Sequence, residues 1–344
     1  MNMHCPIPFA DSDCILPAHG GGGRLTQQLI EEVFYPAFGN PLLAQAHDGC
    51  VFPVEKGRMA CSTDSFVVSP LFFPGGNIGH LAIHGTVNDL ACCGAQPLYL
   101  TAGFILEEGL PIHTLRKVTA SMQEAAQKAG VQIIAGDTKV VERGKGDGIY
   151  IHTTGIGRVP EGVHIAPHRA QAGDVVLCSG PIGVHGMAVM SARGSLGFET
   201  SLQSDTAALH PLTIPLVEQI HEVHVLRDPT RGGVATTLNE IAASASVHIV
   251  LDEALLPIPE PVRAATELLG LDPLYIANEG VLLAILPEKY APQALRILRS
   301  RPEGRDAVQI GHIEAGRPLV RIKTPYGGSR IVDMPSGEQL PRIC

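Results

Sequence analysis

The sequence predicts an α+β protein of two domains that ends in a flexible arm. Three observations predict it. The chain has 344 residues, and a domain ordinarily takes roughly 100–200. Segments with a helical period are interspersed with short apolar or alternating runs that read as strands. A stretch rich in Pro, Gly, His and Ala, residues 160–173, separates two such series. Hydrophobic residues make up 45% and charged residues 17%, which allows a sizeable core and argues against disorder.

The elements follow in chain order. Leu25, Leu29, Val33 and Phe34 recur at helical spacing, so residues 24–35 read as a helix stopped by Pro36. Residues 78–93 and 115–129 read as two more, the second stopped by Gly130. Strand-like runs lie at 58–62, 98–106, 131–135 and 149–159, the last with Ile149, Ile151, Thr153 and Gly155 on one side. Beyond the boundary, 174–178 and 280–286 read as short apolar strands, and 234–245, 261–269 and 290–299 as helices. Residues 319–323 and 329–334 form a hairpin that turns at Tyr326-Gly327-Gly328. The division expected is a leader over 1–18, an N-terminal domain over 19–169, a C-terminal domain over 170–334 and a tail over 335–344.

The formal net charge is −9, with 25 Lys+Arg against 34 Asp+Glu. An acidic surface repels phosphate backbones, so nucleic acid is not an expected partner. The first 17 residues have neither a basic start nor a long apolar stretch, so they do not read as a secretion signal. No run of 18 uncharged apolar residues exists, so no membrane span is expected. The cytoplasm is the expected compartment, with the eight cysteines as thiols.

Several chemistries are unsupported. The P-loop, the dinucleotide fingerprint, H-E-x-x-H, G-x-S-x-G and C-x-x-C are all missing. His221 and His224 are three apart without further ligand signal, and a structural zinc site wants four.

Acidic residues carry the strongest signal. Asp64 follows Met59-Ala60-Cys61-Ser62-Thr63, and Asp137 follows Ile133-Ile134-Ala135-Gly136. Both are expected at strand ends, where side chains emerge into a cleft. Asp89 lies in an apolar helix and needs a partner there, because an unpaired buried charge is costly. Asp48, before Gly49, is a fourth candidate. Converging carboxylates would suit Mg2+ shared with nucleotide phosphates; singly, each also reads as a cap or turn residue. Gly20, Gly21, Gly22 and Gly23 before a helix could cradle phosphate or serve as a hinge. Lys139 could aim at the same phosphates or be a solvated lysine.

Cys344 closes a polar, Pro-containing tail with no evident packing face. Cysteine is otherwise among the most buried residues, so a thiol here suggests chemistry, although an incidental cysteine fits the pattern too. From residue 335 to Cys344 a flexible chain spans roughly 16–19 Å, and up to about 35 Å extended. Such an arm could reach an interior site and also swing out to partners. Cys92 and Cys93 are adjacent on an apolar helix and cannot share one site.

A family resemblance joins these parts. The residues that carry it begin with Ala18-His19-Gly20-Gly21-Gly22-Gly23, Ser62-Thr63-Asp64-Ser65 and Asn88-Asp89-Leu90-Ala91. Gly136-Asp137-Thr138-Lys139-Val140, Arg227-Asp228-Pro229-Thr230-Arg231-Gly232-Gly233 and Ala277-Asn278-Glu279-Gly280 follow, and Pro341-Arg342-Ile343-Cys344 ends the series. The chain resembles the HypE carbamoyl dehydratases of hydrogenase maturation. They lie within the superfamily of aminoimidazole ribonucleotide synthetase and selenophosphate synthetase. The resemblance runs from about His19 to Cys344, and Pro-Arg-Ile-Cys is its specific part. The stretch before His19 is longer than the usual start, and the region around Asp48 matches loosely.

The resemblance implies the two-domain PurM-like fold and a homodimer whose N-terminal domains pair as a β-barrel-like core. It implies ATP with Mg2+, with Asp48, Asp64, Asp89 and Asp137 toward the metal. His19, Gly20, Gly21, Gly22, Gly23, Asn88 and Thr138 would lie toward the nucleotide. The implied reaction turns a carbamoyl group on Cys344 into a thiocyanate, with Lys139 stabilising the phosphoryl group and Glu279 as base. HypF would supply the carbamoyl group, and the HypC–HypD complex would receive cyanide for the iron of nickel–iron hydrogenase. Two rivals remain. One is a kinase or synthetase of the same fold, such as selenophosphate synthetase, whose reactive residue lies near the N-terminus, where Cys5 and Cys14 stand here. The other is a metal carrier that uses Cys344 as a soft ligand.

Overall fold

The structure is a computed structural model that describes residues 13–16, 19, 28–41, 57–193, 201–334 and 343. Cys344, Asp48 and Gly20 to Gly23 lie outside the described residues. Among the described residues no helix is long and apolar enough to cross a membrane.

The first half builds a four-stranded sheet from β1 (Arg58–Phe66), β2 (Gln96–Glu107), β3 (Gln132–Val141) and β4 (Ile149–Val159), in the order β1-β4-β2-β3. Helices α1 (Ile78–Cys92) and α2 (Ile112–Ala129) cover one face. Along β4, Ile149, Ile151, Thr153 and Gly155 are buried and alternate with more exposed residues, as the period of two predicts. Helix α1 starts at Asn77, whose side chain accepts from the Gly79 N–H at 2.8 Å. Thirteen of its 15 residues are buried, so it is a central helix with domain surface on all sides.

Two sequence expectations are corrected here. Asp64 and Asp137 lie within strands, not at their ends, because β1 runs to Phe66 and β3 to Val141. Polar and glycine-containing stretches stay extended there because neighbouring strands satisfy their backbone groups. Nor does Pro36 stop its helix. Ile30–Phe34 is π-helical and Tyr35–Phe38 continues it, with Pro36 in the first turn of the continuation. The donor that Pro36 lacks is replaced from outside the helix: the Glu32 carbonyl, four residues earlier, accepts from the Arg116 guanidinium at 2.7 Å.

The second half forms a seven-stranded sheet. Its strands are β5 (Asp174–Cys178), β6 (Val225–Arg227), β7 (His248–Asp252), β8 (Leu283–Pro287), β9 (Val308–Glu314), β10 (Leu319–Lys323) and β11 (Ser329–Ile331). The order is β11-β10-β7-β9-β5-β8-β6, antiparallel except for β10 beside β7. Its helices are α3 (Val184–Ala192), α4 (His210–Gln219), α5 (Gly233–Ala245), α6 (Glu260–Leu269) and α7 (Ala291–Arg299). Both faces of the sheet are covered. Val176 joins one apolar cluster with α5, while Val175 and Leu177 join another with α4 and α7. Double burial explains why β5 reads as a continuous apolar run.

Asn88 fastens the halves together. Its Nδ2 donates to the carbonyls of Ala207 (2.9 Å) and Glu279 (3.2 Å), and its Oδ1 accepts from the Leu209 N–H (2.8 Å). Ala91 and Cys92 of α1 also pack with Leu209 and Leu212 in a cluster of the second half.

Candidate active site

The junction gathers five carboxyl groups. Glu279 lies in the loop before β8 and is 2% exposed. Its Oε1 is buried with no hydrogen-bond partner. Burial, followed by the charges of Asp205, Asp228, Asp64 and Asp89, pushes its carboxyl well above the ordinary range. Asp228 follows β6 and is pushed up to about 7, by burial first and then by Asp89. Asp205 is pushed up to about 6 by burial. Its carboxylate accepts from the backbone N–H groups of Glu279 (3.3 Å) and Gly280 (3.2 Å). Asp89 is raised by burial, held back by a 2.5 Å bond from Ser62 Oγ–H, and raised again by Asp64.

Chain geometry forces this crowding. The Gly280 backbone approaches the Asp205 backbone so closely that an added Cβ would stand 1.8 Å from the Asp205 carbonyl oxygen. Glycine is needed there for lack of a side chain. Asp64 reaches the junction because it points to the helical face of its sheet, as does its register partner Thr153, which bonds Thr86 of α1 at 2.5 Å.

Asp137 is not brought to Asp64 and Asp89 within one chain. Asp64 is in register with Thr153, Ala102 and Gly136, whereas Asp137 is in register with Gly103, His152 and Ser65. One residue of offset puts the two aspartates on opposite faces. They also stand on the two edge strands, three spacings of about 4.8 Å apart. On the open face Asp137 pairs with Lys139 at 2.8 Å, and that salt bridge lowers the Asp137 carboxyl. Thr138 alternates to the helical face, opposite Phe104. Lys139 is therefore not beside Glu279 in the same chain.

His19 is 4% exposed, and its Nδ1 accepts from the Leu16 N–H at 2.9 Å, which ties one ring nitrogen into a local turn. Asn88, expected toward the nucleotide, stands at the carboxylate junction, where its amide bonds the Ala207, Leu209 and Glu279 backbone. Cys14 takes part in a β-bridge to Pro111. Cys92 is buried and Cys93 exposed.

The tail also departs from expectation. Ile343 is 3% exposed and packs in the core cluster of the first half with Ala277 and Val189. Its carbonyl accepts from His185 Nε2–H at 3.0 Å. The polar tail thus does have a packing residue, one peptide unit before Cys344.

Fitness for a magnesium–nucleotide group can be judged from these side chains. Among the described residues no three His, Cys, Asp or Glu side chains converge as a metal cage. Magnesium, however, usually takes one or two carboxylates, with waters and substrate phosphates completing its shell. Asp64 and Asp89 fit that need, and the orphaned Glu279 Oε1 marks a surplus of acceptor groups.

The two-domain fold and the carboxylate-lined junction define a protein of the AIR synthase related class. Residues 46–159 match its N-terminal domain and residues 171–323 its C-terminal domain. The carbamoyl dehydratase HypE of Cupriavidus necator is 55% identical over 95% of this chain and 93% of its own length. A crystal structure of the hydrogenase maturation protein HypE in complex with ATP superposes with a TM-score of 0.92, at 47% identity over 96% of this chain and 99% of that one. A HypE chain from a HypE–HypF complex superposes at 0.79, with 50% identity over 89% of this chain and 99% of that one. The chain belongs to the HypE family of carbamoyl dehydratases, and is an enzyme.

Sequence reasoning singled out Glu279, Asp64 and Asp89 but missed Asp205 and His185. Asp228 was legible inside Asp-Pro-Thr-Arg-Gly-Gly, though only as part of a motif. Asp205 and His185 have no local signal; tertiary packing alone brings them to the junction.

Proposed function

We propose that this chain dehydrates a carbamoyl group carried on Cys344 to an S-cyano group, at the expense of ATP. The observation that carries this reading is the buried Ile343, whose carbonyl is held by His185 beside the carboxylate junction. The Ile343 carbonyl so held lies near the acidic groups, since the backbone N–H of His185 bonds the Asp205 carboxylate.

The balance is thiocarboxamide plus ATP giving thiocyanate, ADP and phosphate. The carboxamide oxygen attacks the γ-phosphorus and ADP leaves. The C–O bond then breaks with phosphate, and the nitrogen loses both protons. Glu279 is the candidate acceptor for a nitrogen proton. Burial and the neighbouring aspartates raise its proton affinity, which suits a group that takes up a proton as the activated amide collapses. Magnesium, when bound, supplies positive charge that offsets phosphate and carboxylate charge. Asp64 and Asp89 would hold it. Lys139 and Asp137 occupy the open sheet face, which is the face a dimer of N-terminal domains would share. Their contribution to the nucleotide would then depend on dimerisation.

The carbamoyl donor we infer is HypF, in keeping with the HypE–HypF complex among the similar structures. The cyanide acceptor we infer is the HypC–HypD complex. The compartment we infer is the cytoplasm, where thiols stay reduced.

The test follows intact mass after incubation with HypF, carbamoyl phosphate and Mg–ATP. The wild-type chain should gain one carbamoyl group on Cys344 and then lose one water. Cys344→Ala should gain nothing. Glu279→Gln should gain the carbamoyl group and lose water about 10²–10⁴-fold more slowly, the usual worth of a general base. Wild-type dehydration by Glu279→Gln would remove Glu279 from the chemistry, and carbamoylation of Cys344→Ala would overturn the reading.

A further inference from the structure

We propose that His185 is a positioning residue for this reaction: its ring holds the Ile343 carbonyl and so sets the register in which Cys344 is presented. This rests on the reading of Cys344 as the carrier.

The hydrogen bonds fix the state of the ring. A carbonyl oxygen only accepts, so Nε2 carries the proton in the 3.0 Å bond to Ile343. In the neutral ring Nδ1 must then accept, and Ser204 Oγ–H donates to it at 2.8 Å. Ser204 Oγ in turn accepts from the Thr206 N–H at 3.1 Å. The chain of bonds runs in one direction, from Thr206 through Ser204 and His185 to the tail. Burial of the ring, which is 0% exposed, holds the imidazole down to about 4, so the neutral form persists at physiological pH.

The surroundings leave the ring little freedom. Phe73 stands edge-on with its centroid at 5.5 Å. The Ser204 N–H is bonded to the Pro74 carbonyl at 2.8 Å. A Cβ on Gly75 would meet the Ser204 nitrogen at 2.5 Å, so the shelf under Ser204 has no slack.

One residue thus serves both partners of the reaction. The His185 side chain takes the tail, while its backbone N–H joins those of Glu279 and Gly280 on the Asp205 carboxylate. The tail anchor and the candidate base are therefore linked through Asp205. Since the group held is a main-chain carbonyl, the contact sets distance along the tail and not side-chain identity. The burial of Ile343 in the first-half apolar cluster, which also includes Ala277 and Val189, supplies the side-chain preference.

The experiment uses the full chain. Alkylation of Cys344 by iodoacetamide is timed by mass spectrometry of the C-terminal peptide, for wild type, His185→Leu, His185→Gln and Ser204→Ala. Leu removes the donor and keeps bulk, whereas the Gln amide nitrogen can replace Nε2–H. Loss of one buried hydrogen bond should speed alkylation roughly tenfold in His185→Leu. His185→Gln should stay within about twofold of wild type, and Ser204→Ala should fall between, since it frees the tautomer but not the ring. Carbamoyl dehydration should fall in the same order, with ATP affinity unchanged by calorimetry. Should His185→Leu fold poorly, Ser204→Ala against wild type carries the test. Unchanged alkylation in both, or an equal rise in Leu and Gln, overturns the latch. Should alkylation follow the predicted order while Cys344 never gains a carbamoyl group, the latch stands and the carrier reading falls.

Discussion

At the scale of single residues, the molecule keeps several ionisable groups in unusual states by enclosing them. His84 of α1 is pushed down to about 3, first by burial and then by His80, Lys128 and His210, with Glu124 pulling the other way. Its Nδ1 bonds Thr206 Oγ1 at 3.0 Å. A lowered histidine contributes stability that is whole above pH 6.5 and is lost as pH falls through its folded value. Between pH 6.5 and about 3, His84 should add up to about 1.4 kcal/mol per pH unit to the slope of stability. Asp205 and Asp228 act in the opposite sense, their contribution being lost as pH rises through about 6 and about 7. His84→Gln keeps a partner for Thr206 and removes the titration. Urea midpoints at several pH values should show a flatter acid limb in the variant. An unchanged limb would mean that His84 does not titrate in the unfolding transition. The residue scale was half legible in the sequence. Glu279, Asp64 and Asp89 stood in recognisable strings, whereas His84, His185 and Asp205 owe their character to neighbours distant in the chain, 122, 158 and 74 positions away.

At the scale of elements, boundaries were the least legible part. The hydrophobic period gave α1, α5 and β4 closely, because each buries one or more whole faces. It missed α3, α4, β6, β7 and β9: α3, β6 and β7 are short and mostly apolar, α4 carries Pro215 inside it, and β9 has a register shift at Gln309/Gly311 that breaks its alternation. Gly280→Ala would force a Cβ to within 1.8 Å of the Asp205 carbonyl oxygen, so backbone must move. Overpacking against backbone should cost on the order of 3 kcal/mol. The urea midpoint should fall accordingly, and Mg–ATP binding should fall with it because Asp205 and Glu279 move together. A wild-type midpoint would show that the two loops can part without cost.

At the scale of the whole molecule, the sheet register separates two groups of candidate ligands. Asp64 and Asp89 face the junction, while Asp137 and Lys139 lie on the open face. Asp64→Asn and Asp89→Asn should therefore weaken Mg–ATP binding at every protein concentration. Asp137→Asn should weaken it only where light scattering reports a dimer. Calorimetry across a dilution series checks this, and equal loss at all concentrations in a monomer would place Asp137 at the junction by a rearrangement. The two-domain plan was legible in composition and in the break at 160–173. The offset between Asp64 and Asp137 was not, since it depends on pairing across four strands.

The burial of Ile343 bears on the order in which the protein matures. Its partner ring is 158 positions earlier in the chain, and the apolar cluster it completes is otherwise built largely from the first 151 residues. Contacts of such long sequence separation form late. During synthesis the first domain can fold when its own strands have emerged, and Ile343 joins their cluster afterwards. That order keeps the place of Ile343 in the first-domain cluster open until this residue arrives, so Ile343→Ser should leave apolar surface there exposed to solvent.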